Sequence, residues 1–204
     1  MINKIIDCLE KEYPNAACSL NFMTPLQLLI AVILSAQSTD AQINKLTPAL
    51  FAKYKTSKDF ANADIKELEQ YVKSSGFYKN KAKNIKNACK IIVEKHSGEV
   101  PKTMEELTEL PGVGRKTANV VLLNAFGKCE GIAVDTHAKR ISQRIGLSKS
   151  DDPLKIEQDL LKKIPQKDWH KMNHLFVDHG RATCTARSPK CKECCIESYC
   201  KKHI

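Results

Sequence analysis

Two groups of residues in this chain have types and spacings suited to chemistry. The first is C-terminal: Cys184, Cys191, Cys194 and Cys200 follow the spacing C-x6-C-x2-C-x5-C. Four thiols on so short a segment point to a metal site, and zinc is the generic occupant of a four-Cys set. Zinc ribbons, however, usually pair two short knuckles across a longer gap. Four ligands on one compact loop fit a [4Fe–4S] cluster better. Cys195 is a fifth thiol that the spacing leaves out, and Cys8, Cys18, Cys89 and Cys129 read as packed or free thiols. Arg187, Lys190 and Lys192 lie inside the same segment, so it presents positive charge suited to a phosphate backbone.

The second group is a lysine and a distant aspartate. Residues 110–122 read Leu-Pro-Gly-Val-Gly-Arg-Lys-Thr-Ala-Asn-Val-Val-Leu. A helical pattern through Met104, Leu107 and Leu110 stops at Pro111-Gly112, because Pro lacks an N–H and Gly tolerates positive φ. A second helix starts near Arg115. Gly112 and Gly114 keep side chains out of the turn, so the first N–H groups of that helix are bare and make an anion site. Lys116 stands in its first turn, where a cation opposes the macrodipole. A nucleophilic amine must be neutral, and at an ordinary pKa of about 10.4 only about one in a thousand is free at neutral pH. The helix end and Arg115 both disfavour the ammonium. Asp135 is expected to cap the following helix with one oxygen, leaving the other to take a proton or stabilise a developing cation. His170 and His174 stand at i, i+4, but no third ligand accompanies them and they read as part of a packed helix.

The elements that position these groups are helical nearly throughout. Residues 1–13 carry Ile2, Ile5, Ile6 and Leu9 on one face, and Pro14 ends them. Thr24-Pro25 supplies a cap followed by Pro at the first helical position. Residues 26–34 are apolar nearly all round and read as a buried central helix. Gln37 lies at its mouth. Thr39 with Gln42, and Thr103 with Glu106, are expected capping boxes. Asp64 caps a helix to about Lys73, and a turn follows with Phe77 at its tip. The next helix turns Ala82, Ile85, Ala88, Cys89 and Ile92 inward, with Lys79, Lys81, Lys83, Lys86 and Lys90 expected around its remaining surface. Asp135 caps a helix to about Ile145, Pro153 opens one to about Lys163, and Asp168 is expected to cap one to about His179. No strand alternation is sustained.

Composition sets the class. The chain has 204 residues, 42% hydrophobic content and a net charge of +10. That charge suits a polyanionic partner, most simply nucleic acid. No N-terminal signal is visible and no apolar run is long enough to span a bilayer. A soluble cytoplasmic protein is expected, in which nine cysteines argue for free thiols or a metal site over disulfides.

The residues from Leu110 to Ala118, then Val134-Asp135-Thr136-His137, then the four-Cys segment, resemble the endonuclease III family. Those are helix–hairpin–helix DNA glycosylases and abasic-site lyases carrying a [4Fe–4S] cluster. Leu34-Ser-Ala-Gln-Ser-Thr-Asp40 and Gly76-Phe-Tyr-Lys-Asn-Lys-Ala82 also match the family pattern, so the resemblance spans essentially the whole chain.

The resemblance implies an all-α fold of two helical domains flanking a DNA-binding cleft. Residues 21–130 would form a six-helix barrel domain with the hairpin, and residues 1–20 with 131–204 the iron–sulfur domain. It implies a monomer acting on double-stranded DNA that carries a damaged base or abasic site, a prokaryotic nucleoid-associated activity with no membrane role. Lys116 would attack C1′ of a flipped-out nucleotide and Asp135 would assist. The four cysteines Cys184, Cys191, Cys194 and Cys200 would hold the cluster. DNA contacts would come from Gln37, Phe77, Lys81, Gly112, Val113, Gly114, Arg115, His137, Arg140, Arg187 and Lys190. Gln37 would fill the gap left by the flipped base and Phe77 would wedge from the other strand, where the family more often has Leu.

Three rivals remain. A mispair-specific adenine glycosylase shares the hairpin and cluster but lacks the lysine and carries a further C-terminal domain, so Lys116 and the end at Ile204 argue against it. A non-catalytic iron–sulfur DNA-binding protein or redox sensor would leave the pairing of Lys116 and Asp135 unexplained. A zinc DNA-binding module is the third, and the brown colour of an iron–sulfur protein would separate the two metals.

Overall fold

The computed structural model describes residues 1–202. Among them every regular element is helical. The chain forms two units: Ser19–Lys128, and Met1–Cys18 together with the chain from Cys129 onward. No described helix is long and apolar enough to cross a membrane.

The first helix, α1 (Ile2–Glu12), belongs to the second of these units. The unit Ser19–Lys128 is built around α2 (Pro25–Ser35), capped by Thr24, whose hydroxyl accepts the Gln27 N–H at 3.2 Å. Leu28 through Leu34 are all at most 5% exposed, as expected of a helix apolar all round. Around it run α3 (Asp40–Lys53), α4 (Ser57–Asn62), α5 (Ile65–Val72), α6 (Tyr78–Lys95), α7 (Met104–Thr108) and α8 (Arg115–Phe126). α2 packs on α3, α6 and α8, while α6 packs on α4 and α5.

Pro48 lies inside α3 without ending it. A proline there costs about 3 kcal/mol, but Ile43, Leu46 and Leu50 are buried along the same helix, each contributing about 1.5–3 kcal/mol. α4 has no counterpart in the sequence reading. A reciprocal box between Thr56 and Asp59 starts it, and Phe60 anchors it in the core. Of the expected boxes, Thr39 accepts the Gln42 N–H at 3.2 Å. At Thr103 the Glu106 carboxylate takes the threonine hydroxyl at 2.8 Å.

The other unit joins α1 to α9 (Thr136–Ile145), α10 (Pro153–Lys163) and α11 (Trp169–Ala182). Ile5, Ile6 and Leu9 meet Ile141, Ile145, Ile156, Leu160, Met172 and Phe176 in one core. Asp168 does not cap α11 with its side chain. It ends a 3-10 turn, and its carboxylate pairs with Lys171 at 2.7 Å. The same ammonium reaches Glu10 at 2.7 Å, tying α1 to α11.

Candidate nucleic-acid interface and cysteine cavity

In the hairpin, α7 and α8 are joined by a turn whose pivot is Gly112, at φ +81. A Cβ there would lie 2.9 Å from Asn84 Nδ2, so Asn84 of α6 occupies the space a side chain would need. Val113 corrects one expectation. Its side chain is buried and its N–H donates to Leu110 O at 3.0 Å, so that amide serves the turn and is not offered to an anion. Gly114 is the N-cap of α8 and supplies no capping side chain, and no acidic residue stands in the first turn. Arg115 and Lys116, both exposed, are its first two residues. The positive end of this twelve-residue helix thus carries neither a capping side chain nor a carboxylate of its own first turn, which suits it to an anion.

Two exposed loop residues in the same unit are strained. Gln37 has φ 55 and Phe77 φ 48, in the left-handed region that costs a non-glycine residue about 1–3 kcal/mol. Phe77 is also 67% exposed, although it is a large apolar side chain. Such strain persists where the surroundings hold it, and it clusters at functional positions.

Lys81, expected to face phosphate, is buried at 5% exposure. Its Nζ donates to Leu34 O at 2.8 Å and to Ser75 O at 2.6 Å, and burial pulls its pKa below the ordinary lysine range. Its charge is spent inside the fold. Lys86 is similarly engaged, donating to Ala63 O at 2.6 Å, whereas Lys79, Lys83 and Lys90 are exposed.

In the other unit Asp135 caps α9, Oδ1 accepting the Ala138 N–H at 2.8 Å. The cap uses one oxygen of a half-buried carboxylate. His137 and Arg140 follow on α9, and neither is laid out as an outward contact. Arg140 donates through Nε and Nη2 to Cys184 O at 3.1 and 3.0 Å, and through Nη2 to Gly180 O at 3.0 Å. His137 Nδ1 lies 3.1 Å from the same guanidinium, and burial lowers its pKa. Both side chains hold α9 against the end of α11. His170 is exposed and His174 half-buried, with its pKa lowered by burial. Among the described residues no three His, Cys, Asp or Glu side chains are gathered closely enough to hold a single metal ion.

The four spaced thiols nevertheless share one cavity. Cys184, Cys191, Cys194 and Cys200 line it together with Arg144, His179 and Ile196, and Cys195 is not among its walls. Two N–H donors approach the sulfurs: Arg144 Nη1 lies 3.4 Å from Cys184 Sγ, and the Lys202 amide 3.4 Å from Cys200 Sγ. Arg187 and Lys190 are exposed on the surrounding segment.

Sequence reasoning missed Arg144 and His179. Arg144 is buried and also donates to Thr185 O at 2.7 Å and Ala186 O at 2.9 Å, shaping the segment before Cys191. His179 is 1% exposed, and burial followed by Arg140 pushes its pKa down to about 4. Its ring lies 3.1 Å from the Tyr13 hydroxyl and 3.7 Å from Cys194 Sγ. Held neutral, it has one N–H for these two neighbours. The helical period places Arg144 beside Ile141 and Ile145, a hint of burial. Nothing local marks His179.

Comparison with known proteins gives a consistent neighbourhood. Residues 30–166 match the HhH-GPD superfamily base excision DNA repair proteins. The chain is 55% identical over 197 residues to the endonuclease III of Synechocystis sp., covering 97% of this chain and 90% of the relative. To the Bacillus subtilis endonuclease III it is 46% identical over 205 residues, covering 98% and 93%. A solved structure of a trapped covalent intermediate of an endonuclease III with DNA is also similar. It shares 46% identity at a TM-score of 0.93, covering 98% of this chain and 94% of that one.

Proposed function

The chain belongs to the HhH-GPD superfamily of base excision DNA repair proteins, and from that membership we propose that it is a DNA glycosylase and abasic-site lyase. The observation that carries the reading is Lys116, exposed on the uncapped, carboxylate-free first turn of α8 behind the Pro-Gly-Val-Gly turn. An anion held at that helix end fixes a DNA strand without reading its sequence.

The chemistry follows from one amine. The Lys116 lone pair forms a bond to C1′ as the N-glycosidic bond breaks, and the base departs with that electron pair and gains a proton. Asp135, with one oxygen on its cap, takes the proton lost by the amine and stabilises positive charge at C1′. Sugar-ring opening leaves an iminium between Lys116 and C1′. Loss of a C2′ proton then expels the 3′ phosphate by β-elimination, nicking the strand on that side, and water releases the enzyme. Oxidised pyrimidines in duplex DNA are the proposed substrates, with Gln37 filling the space vacated by the extruded nucleotide and Phe77 wedging from the other strand.

Borohydride reduces an iminium to a stable amine. It is expected to fix this protein covalently to abasic-site DNA, and the adduct is expected to vanish in Lys116→Gln but persist in Gln37→Ala. An equally strong adduct with Lys116→Gln would overturn the assignment of the nucleophile.

The cysteine cavity fits a [4Fe–4S] cluster: its donor set is four thiols, two of them already met by N–H donors. Cys184, Cys191, Cys194 and Cys200 would hold it. When bound, it supplies a four-point anchor that fixes the basic segment around Arg187 and Lys190. Purified protein is expected to be brown, with iron and acid-labile sulfide in equal amounts. Stoichiometric zinc in a colourless protein would favour a zinc site instead.

A further inference from the structure

Two strained residues, Gln37 and Phe77, stand on loops that are distant in sequence, and one buried side chain joins the bases of both. Lys81 Nζ donates to Leu34 O, at the end of α2 just before the Gln37 loop, and to Ser75 O, at the end of the 3-10 turn Lys73–Ser75 just before Gly76-Phe77. Leu34 O lies in the last turn of α2, where carbonyls have no intrahelical donor. A cation there is also favoured by the helix dipole. Neighbouring groups secure the same two ends. Ser35 Oγ donates to Val32 O at 2.9 Å, and Ser75 Oγ to Val72 O at 2.7 Å. Lys81 itself is fixed on α6, its N–H donating to Phe77 O at 3.2 Å.

The same helix carries Asn84, one turn further on, against Gly112 of the hairpin. α6 thus reaches the end of α2 just before Gln37, carries Phe77 at its own N-terminus, and abuts the hairpin turn.

We propose that Lys81 is a positioning residue for base extrusion: its ammonium clasps the two loops at a fixed spacing, so that Gln37 and Phe77 enter the DNA together. The proposal rests on the reading that Gln37 fills the vacated space and Phe77 wedges from the other strand. It separates Lys81 from its lysine neighbours. Lys79 and Lys83 remain free to meet phosphate, while Lys81 acts through backbone carbonyls and touches no DNA. A clasp of this kind matters only when a nucleotide must leave a stack. Cleavage at an abasic site in a single strand needs no extrusion and should not depend on it.

The test compares full-length wild-type protein with Lys81→Met, Lys81→Arg and a Gln37→Ala/Phe77→Ala double variant. Single-turnover cleavage is followed on a thymine-glycol duplex and on a single-stranded abasic oligonucleotide. Base unstacking is read from the fluorescence of 2-aminopurine placed opposite an abasic analogue. Lys81→Met is expected to slow the duplex reaction about ten- to a hundredfold, to leave the single-strand rate unchanged, and to blunt the fluorescence rise. Lys81→Arg keeps the charge and several donors, and is expected to restore part of both. Equal slowing on both substrates, or a wild-type duplex rate in Lys81→Met, overturns the proposal. Should Lys81→Met fail to fold, Lys81→Gln takes its place: a reduced duplex-to-single-strand ratio supports the clasp and a wild-type ratio overturns it. Wild-type fluorescence in the double variant would instead remove the space-filling reading beneath it.

Discussion

Asp135 shows how a single carboxylate can hold a structural and a chemical post. One oxygen caps α9 through the Ala138 N–H, and the chemistry proposed for it needs the negative charge. The two demands separate on substitution. Asp135→Asn keeps an acceptor for the cap but removes the charge, so base release should slow severely while urea unfolding shifts little. Asp135→Ala removes both, and should lose about 1 kcal/mol of stability as well. Equal stability loss in the two variants would show that charge, not the cap, is what α9 requires of this residue. Lys116 differs, because its position on an exposed first turn gives it no structural duty to confound the trapping experiment.

At the scale of elements, α6 carries more of the candidate interface than the hairpin does. Its apolar stripe sits on α4 and α5, its N-terminus holds Phe77, and Asn84 abuts the hairpin turn. The hairpin's own tolerance differs between its two glycines. Gly112→Ala forces a Cβ into a left-handed backbone and against Asn84, and should cost about 1–3 kcal/mol from backbone strain alone. Gly114 has extended backbone, at φ −93 and ψ 175, and open space around it, so Gly114→Ala should cost less than about 1 kcal/mol. Chemical denaturation of the two variants measures the difference, and equal losses would argue against Asn84 as the obstacle. Both substitutions should weaken duplex binding: the first moves the turn, and the second puts a methyl at the anion-holding helix end.

For the whole molecule, 33 basic against 23 acidic residues should weigh more in the affinity for DNA than any single contact. Phosphate contacts release counterions, so log K should fall linearly with log salt. Replacing an exposed cation such as Lys83 or Arg187 by Gln should reduce that slope by about one if it meets phosphate. A slope unchanged by both would place the DNA-facing surface elsewhere. Two units, each with its own apolar core, carry these charges.

Much of this was legible in the sequence because it is local. The cap at Thr24 and Pro25, the inward stripe from Ala82 to Ile92, the turn at Pro111–Gly114, the cap at Asp135 and the four-Cys spacing each depend on residues a few positions apart. α4 was missed because it is short, although Thr56 and Asp59 announce its start. The fate of Lys81 lay partly within reach, since the helical period puts it on the same face as Ile85, Ala88 and Ile92. Composition pulled the other way, toward a solvated lysine surface. Periodicity can say that a residue points inward, but not what it will find there. Only the tertiary structure brought a carbonyl from forty-seven residues away to the Lys81 ammonium, and likewise Arg144 to Cys184 and His179 to Cys194. A buried charge is tolerable only where distant backbone supplies its acceptors, and that supply is decided by packing between helices, which no local pattern encodes.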